Sequence, residues 1–330
     1  MKKKLILALA TSMMVILTGC GSEQTSNTTQ EDIVNGVFTP SESINIIIPY
    51  EAGGNSDIPA RIMAQYMDEA TETDIKITNI VGAGGRTGFE EMLKSDPDGY
   101  TVALHSSGFI MQHALGIAKF TPTDAEPIGY LIDSSMAVVV SADSPYQTMD
   151  DLIEAAKATP GEIKMGSVTG TLPLFGILQI EQEKGVEFNK VDLSGNSKAP
   201  ELLGGRIDGY LDGFGAVKQY IDSGDFRCLG IIASEPQVGY EDIPTFAELG
   251  FENYAYLKQD FGLWAPKDTP EPIVDYINNL ISEASENPQC IEELQNISFK
   301  PKHTETTQYV EDLTANYAAF GEAAQAVIQQ

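Results

Sequence analysis

INIIIP (residues 44–49) runs into YEAGGNSD (50–57) and then into IPARIMAQYMDEA (58–70). A β-branched run, a loop with paired glycines, and a stretch whose apolar residues recur three and four apart read as strand, turn and helix. The rhythm repeats outward. IKITNI (75–80) precedes TGFEEMLKSD (87–96), YTVALHS (100–106) precedes a further helical stretch, and PIGYLID (127–133) closes the series. Such βαβ repetition predicts an α/β fold built on mixed, mainly parallel sheets flanked by helices.

A second series opens at MAVVVSAD (136–143). It continues through helix TMDDLIEAAKATPG (148–161), strand IKMGSV (163–168), helix TLPLFGILQIEQEKG (171–185), strand VEFNKVDL (186–193), helix SKAPELLGG (197–205) and strand IDGYLDG (207–213). Thr148 with Asp151 forms an N-terminal capping pattern, and Pro160-Gly161 stops that helix. After FRCLGIIASE (226–235) come IPTFAELG (243–250), a strand FGLWAP (261–266), and helical stretches from Pro270 to Asn287 and Glu305 to Ile328. Helices without matching new strands predict a return to the first lobe. The expected division is 43–140 with 245–330 as lobe 1 and 141–244 as lobe 2; a chain of 330 residues exceeds the size at which single cores stop growing.

The N-terminus carries Lys2, Lys3 and Lys4, an apolar run from Leu5 to Leu17, and then Gly19-Cys20. This reads as a secretory signal over residues 1–19, too short for a comfortable membrane span. Its Leu-x-Gly-Cys ending resembles the lipobox of bacterial lipoproteins, so Cys20 is expected to become a lipidated N-terminus that holds the domain on a membrane without spanning it. Residues 20–42, small and polar, read as a tether, whether with a reach-giving role or as a bare spacer.

The chain has 20 Lys+Arg against 48 Asp+Glu, a net charge of -28, and loss of the leader lysines takes it to about −31. Nucleic-acid binding is excluded by the want of a basic face. Only His105, His113 and His303 are present, without His-x-x-x-His, Cys-x-x-Cys or Gly-x-Ser-x-Gly patterns, so neither a metal site nor an enzyme is expected, and no cofactor. Cys228 and Cys290 read as two idle thiols in preference to a disulfide.

Ligands of open α/β sheets sit where strands end and helices begin, because the first turn of a helix presents free N–H groups and partial positive charge. The loop 49–57 is the first such place. Gly53 and Gly54 permit close backbone approach to a carboxylate, with Ser56 or Asp57 capping the helix; the same residues also suit a plain strand-to-helix turn. GAGGRTG (82–88) offers similar physics and Arg86, which also suits a surface charge. A third loop, Ser167 to Pro173, brings hydroxyls, and Asp212 ends a strand where it suits an ammonium or hydroxyl group or a hinge hydrogen bond.

The segments PYEAGGNSDIPAR (49–61), GAGGRTGFEEMLKSDPDGYTVAL (82–104), TMDDLIEAAKATPGEIKMGS (148–167), APELLGGRIDGYLDG (199–213), IPTFAELG (243–250) and FGLWAPKDTPEPIVDYIN (261–278) occur in an order that resembles the solute-binding proteins of tripartite tricarboxylate transporters, the Bug family. The resemblance runs from Ile44 to the C-terminus. It implies a two-lobed periplasmic-binding-protein fold of type II, closing on a small organic acid held by backbone amides and ordered water. It further implies delivery to a transporter with one large and one small membrane subunit, by a monomer anchored through its lipid alone. Carried over by position, Gly53, Gly54, Asn55, Ser56 and Asp57 form the first-lobe loop, and Thr169, Gly170, Thr171 and Pro173 the facing loop. Ser106 and Ser134 sit at neighbouring strand ends, and Asp212 near the lobe junction. Ala52 stands where the family usually has proline, Asn55 where it has glycine, and Gly213-Phe214-Gly215 where it has Asn-x-Pro, while Pro59 enters the first helical turn. An ABC-type importer or a sensor system would use the same fold, anchor and clamp.

Overall fold

The computed structural model describes residues 32–328, apart from 107, 108, 115, 234, 253, 255, 256 and 258. The leader and Cys20 lie outside the described residues. Strand β1 (Ile33–Val34) pairs antiparallel with β2 (Val37–Phe38). Asn35 and Gly36 both take positive φ between them, as an Asn-Gly hairpin turn demands. Phe38 is buried edge-on against Tyr276, and the Tyr100 hydroxyl donates to Asp32. The expected tether is therefore corrected at its C-terminal end, where one aromatic anchor fixes chain that composition alone marks as free.

The first lobe then lays down β3 (Ile44–Ile48), α1 (Asp57–Glu69), β4 (Ile75–Asn79), α2 (Arg86–Met92), β5 (Thr101–Ser106), α3 (Phe109–Ala114) and β6 (Ala125–Ser134). The second holds β7 (Met136–Ser141), α4 (Met149–Ala158), β8 (Lys164–Ser167), α5 (Leu172–Lys184), β9 (Asn189–Asp192), α6 (Lys198–Leu203), β10 (Gly209–Gly213), α7 (Phe214–Asp222) and β11 (Phe226–Ile232). The chain returns with β12 (Gln259–Pro266), α8 (Glu271–Glu286), α9 (Pro288–Asn296), β13 (Lys300–Pro301) and α10 (Thr306–Ile328). One sheet runs β13-β6-β12-β5-β3-β4, the other β11-β7-β10-β8-β9.

Both sheets are mixed, as the sequence predicts. β4, β3 and β5 are parallel neighbours, as are β9, β8 and β10, whereas β6, β7, β11, β12 and β13 pair antiparallel. The antiparallel members include the strands that arrive from the other lobe and so enter against the βαβ direction. The sheet changes at Ser135, ahead of the boundary expected after residue 140. On the return, Thr245 still bridges Ile231 and Phe246 stacks on Phe251, so the second lobe extends past residue 244.

Alternation sets the cores. Ile46, Ile48, Val102 and Leu104 bury one face of the first sheet with Met63 and Met67 of α1 and Ile277 and Ile281 of α8. The capping pattern at Thr148 is realised in full: the Asp151 amide donates to its hydroxyl and the Thr148 amide to the Asp151 carboxylate. Helix α10 spans both lobes, packing on β6 and α3 and reaching α5, where Phe320 meets Phe175 at 5.9 Å. Among the described residues no helix is long and apolar enough to cross a membrane.

Candidate functional site

Between the sheets lies a cleft of about 740 Å³ lined from both lobes. Its first-lobe wall is the turn after β3. Gly53 takes φ 73, and its amide donates to Asp57 Oδ2 at 2.8 Å, while the Gly54 amide donates to Glu51 O. Among the described hydrogen bonds none engages the Asn55 or Ser56 amide, so these two, at the start of α1, are the ones left for a ligand. Gly53, Gly54, Asn55 and Ser56 line the cleft.

Asp57 does not. Its carboxylate is buried behind the turn, taking Gly53 N–H and Arg61 Nε on Oδ2 and Asn79 Nδ2 on Oδ1. Burial pushes this carboxyl up, but the bonds from Arg61, Gly53 and Asn79 outweigh it and hold the pKa below its ordinary 3.8. Asp57 is thus the brace that shapes the glycine turn, not a ligand for an ammonium group and not a cap on the helix amides. Arg86 is likewise turned away, bonded to Ile117 O and facing Glu90, while Gly82 to Gly85 of its loop do reach the cleft.

On the second lobe Thr171, Leu172 and Pro173 open α5 at the cleft wall; the Thr171 amide donates to Val168 O and Pro173 has no N–H, so among the described hydrogen bonds only the Leu172 amide of the three is unengaged. Thr171 Oγ1 donates to Val168 O. Thr169 and Gly170 lie outside the lining. Thr169 is tied by its amide and hydroxyl to Asp192, and Gly170 O accepts from Gln112 Nε2 at 2.6 Å. Ser106 lines the cleft, whereas Ser134 lies at the sheet crossing and donates to Ser298 O. Tyr50 also reaches in; burial, partly offset by hydrogen bonding to Ser106, pushes its phenol up to about 12, so it is neutral.

Asp212 lines the cleft but is not free. Its Oδ2 lies 2.5 Å from Lys198 Nζ, its Oδ1 accepts the Gly213 amide, and the lysine side chain is only 5% exposed. Lys198 thereby supplies a buried cation on the cleft wall of a strongly acidic chain, which the sequence reading missed. One signal was available: a lysine as the first residue of a helix opposes the dipole there and needs a reason.

Among the described residues, hydrogen bonds from Asn196 and Gln112 join the lobes across the cleft. The Asn196 amide donates to Glu51 Oε2 at 3.0 Å, and Gln112 Nε2 bridges Gly84 O and Gly170 O. Gly84, at φ 66, has Thr169 O where a side chain would begin. The three histidines sit apart, His105 among Tyr50, Phe89 and Phe109, His113 on Tyr317, and His303 on Asn278. Cys228 and Cys290 are free thiols. Among the described residues no cluster could hold a metal ion.

Sequence and structure comparisons agree with this fold. The profile of the tripartite tricarboxylate transporter family receptor, TctC, matches residues 59–326. A UPF0065 protein from the gbd 5' region of Cupriavidus necator is 30% identical over 275 residues, covering 82% of this chain and 83% of its own. MatC of Rhodopseudomonas palustris, solved with bound malate, superposes with a TM-score of 0.80 at 21% identity, over 87% of this chain and 100% of that one. A second R. palustris protein, solved with adipate, gives 0.81 at 23% identity, over 87% and 98%. The chain belongs to the tripartite tricarboxylate transporter receptor family, whose members are extracytoplasmic solute-binding proteins and not enzymes.

Proposed function

We propose that this chain is a lipid-anchored receptor that closes its two lobes on a small carboxylate and delivers it, as a monomer, to a transporter of one large and one small membrane subunit. The observation that carries the reading is the cleft itself. The unengaged Asn55 and Ser56 amides face it from one lobe, and the buried Lys198 ammonium faces it from the other. Backbone N–H groups at helix starts and a desolvated cation are what a carboxylate needs in place of water. The malate and adipate carried by the two R. palustris proteins are ligands of that class.

A melting-temperature screen of organic acids tests it, since a ligand that binds only the folded state raises stability by mass action. A stabilising carboxylate is expected. Lys198→Met is expected to weaken its binding by roughly tenfold or more, the scale of a lost charge-assisted hydrogen bond. The reading fails if no acid stabilises the protein, or if Lys198→Met binds as well as the parent. The anchor is checked separately: the full chain should fractionate with membranes and Cys20→Ala should not. A parent chain found wholly in the soluble fraction would remove the anchor from the proposal.

A further inference from the structure

Three polar atoms of residues that line the cleft are buried and lack a protein partner: Asn55 Nδ2, Asn55 Oδ1 and Gln259 Oε1. Gln259 is 7% exposed, opens β12 at the lobe crossing, and lines the cleft together with Asn55. Both side chains come from the first lobe and converge on Gly213 at the end of β10 in the second. A side chain at Gly213 would collide with Gln259 Oε1 and with Asn55 Nδ2, so the bare backbone there is what admits the two amides. Asp212, next along the same wall, is engaged by Lys198 and the Gly213 amide, whereas the three-donor Lys198 ammonium keeps N–H groups for the ligand carboxylate.

Buried polar atoms are ordinarily hydrogen-bonded, and three orphans at one place ask for a group that both donates and accepts. Whichever way the Asn55 amide is turned, it offers one donor and one acceptor, and Gln259 adds a second acceptor. A carboxylate only accepts, so it cannot satisfy Asn55 Oδ1 or Gln259 Oε1. An ammonium group only donates, so it leaves the Asn55 amide donor unpaired, and Asp212, the carboxylate next to Gly213, is held by Lys198. A hydroxyl does both without charge. Resting on the carboxylate reading above, we propose that the ligand is a hydroxy-carboxylate, with Asn55 and Gln259 as the specificity-determining pair that reads its hydroxyl.

Calorimetric titration with matched acids, malate against succinate and citrate against tricarballylate, decides the matter. For the pair that binds, the hydroxylated acid is expected to be preferred on the order of a hundredfold, because its deoxy partner leaves the buried amides unpaired. In Asn55→Leu and Gln259→Leu that ratio should fall to about tenfold or less. Gly213→Ala, whose methyl displaces both amides, should lower it in the same way. The ratio is internal to each protein, so a general loosening of the cleft cancels, and a melting curve verifies that each variant folds. Equal affinities for both members of a pair, or a ratio unchanged in both leucine variants, overturns the hydroxyl proposal and leaves the carboxylate receptor standing. Failure of every acid in the panel overturns both.

Discussion

His105, the penultimate residue of β5, is 1% exposed among Tyr50, Phe89 and Phe109, and its Nδ1 lies 3.1 Å from Ser106 O. Burial lowers its pKa from 6.5 to about 4, with the Ser106 carbonyl pulling weakly the other way. The unfolded ring takes up a proton near 6.5 and the folded ring resists until about 4, so stability is lost as pH falls through that window. The loss amounts to about 3 kcal/mol once both states are protonated, because each tenfold difference in proton affinity between them is worth about 1.4 kcal/mol. Chemical denaturation of the parent should therefore show stability declining from pH 6.5 to about 4, and His105→Gln should flatten that decline. Parallel pH profiles for the two would assign the slope to other groups. Asp57 acts in a separate window: its lowered pKa means its contribution is lost only below the ordinary carboxylate range.

At the scale of elements, the glycine turns, the helices they lead into and the return of the chain are legible because each is local. β3, the turn at Gly53-Gly54 and α1 follow from hydrophobic period and turn chemistry within one short segment. Strand direction is not local. Nothing in MAVVVSAD or FGLWAP says that β7 and β12 run against their neighbours, which arises because the chain crosses between sheets at Ser135 and again before Gln259. The hairpin β1-β2 hides for a related reason: its Asn35-Gly36 turn is visible, but its stability comes from Phe38 meeting Tyr100 and Tyr276, remote in sequence. The site divides likewise. Gly53 to Ser56 and Thr171 to Pro173 could be named from their own loops, whereas Lys198 becomes a site residue only when the strand order brings β10, with Asp212, beside its helix. Thr169 and Gly170 looked equivalent to Thr171 in sequence. Asp192, from β9, and Gln112, from the other lobe, bind them and turn them from the cleft.

The whole molecule carries a charge of -28 while the ligand proposed for its cleft is an anion, and together these set the sign of the expected salt effect. In a basic anion-binding protein the long-range field attracts the ligand, so affinity falls as salt rises. On the proposed reading the surface field repels the ligand, while the groups assigned to hold it, Lys198 and the Asn55 and Ser56 amides, act at contact distance inside the cleft where salt screens little. The screening length is about 10 Å at 0.1 M ionic strength and about 30 Å at 0.01 M. Diluting salt therefore lengthens the reach of the repulsion without strengthening the contacts. Closure suffers in the same direction, since it brings two acidic lobes together at Glu51 and Asn196. Titration of the bound carboxylate across that range should give affinity that weakens as salt is lowered, by several-fold and not by the orders of magnitude seen when many phosphates are neutralised. Affinity that tightens at low salt would mean that a positive surface, and not the cleft groups, steers and holds the ligand.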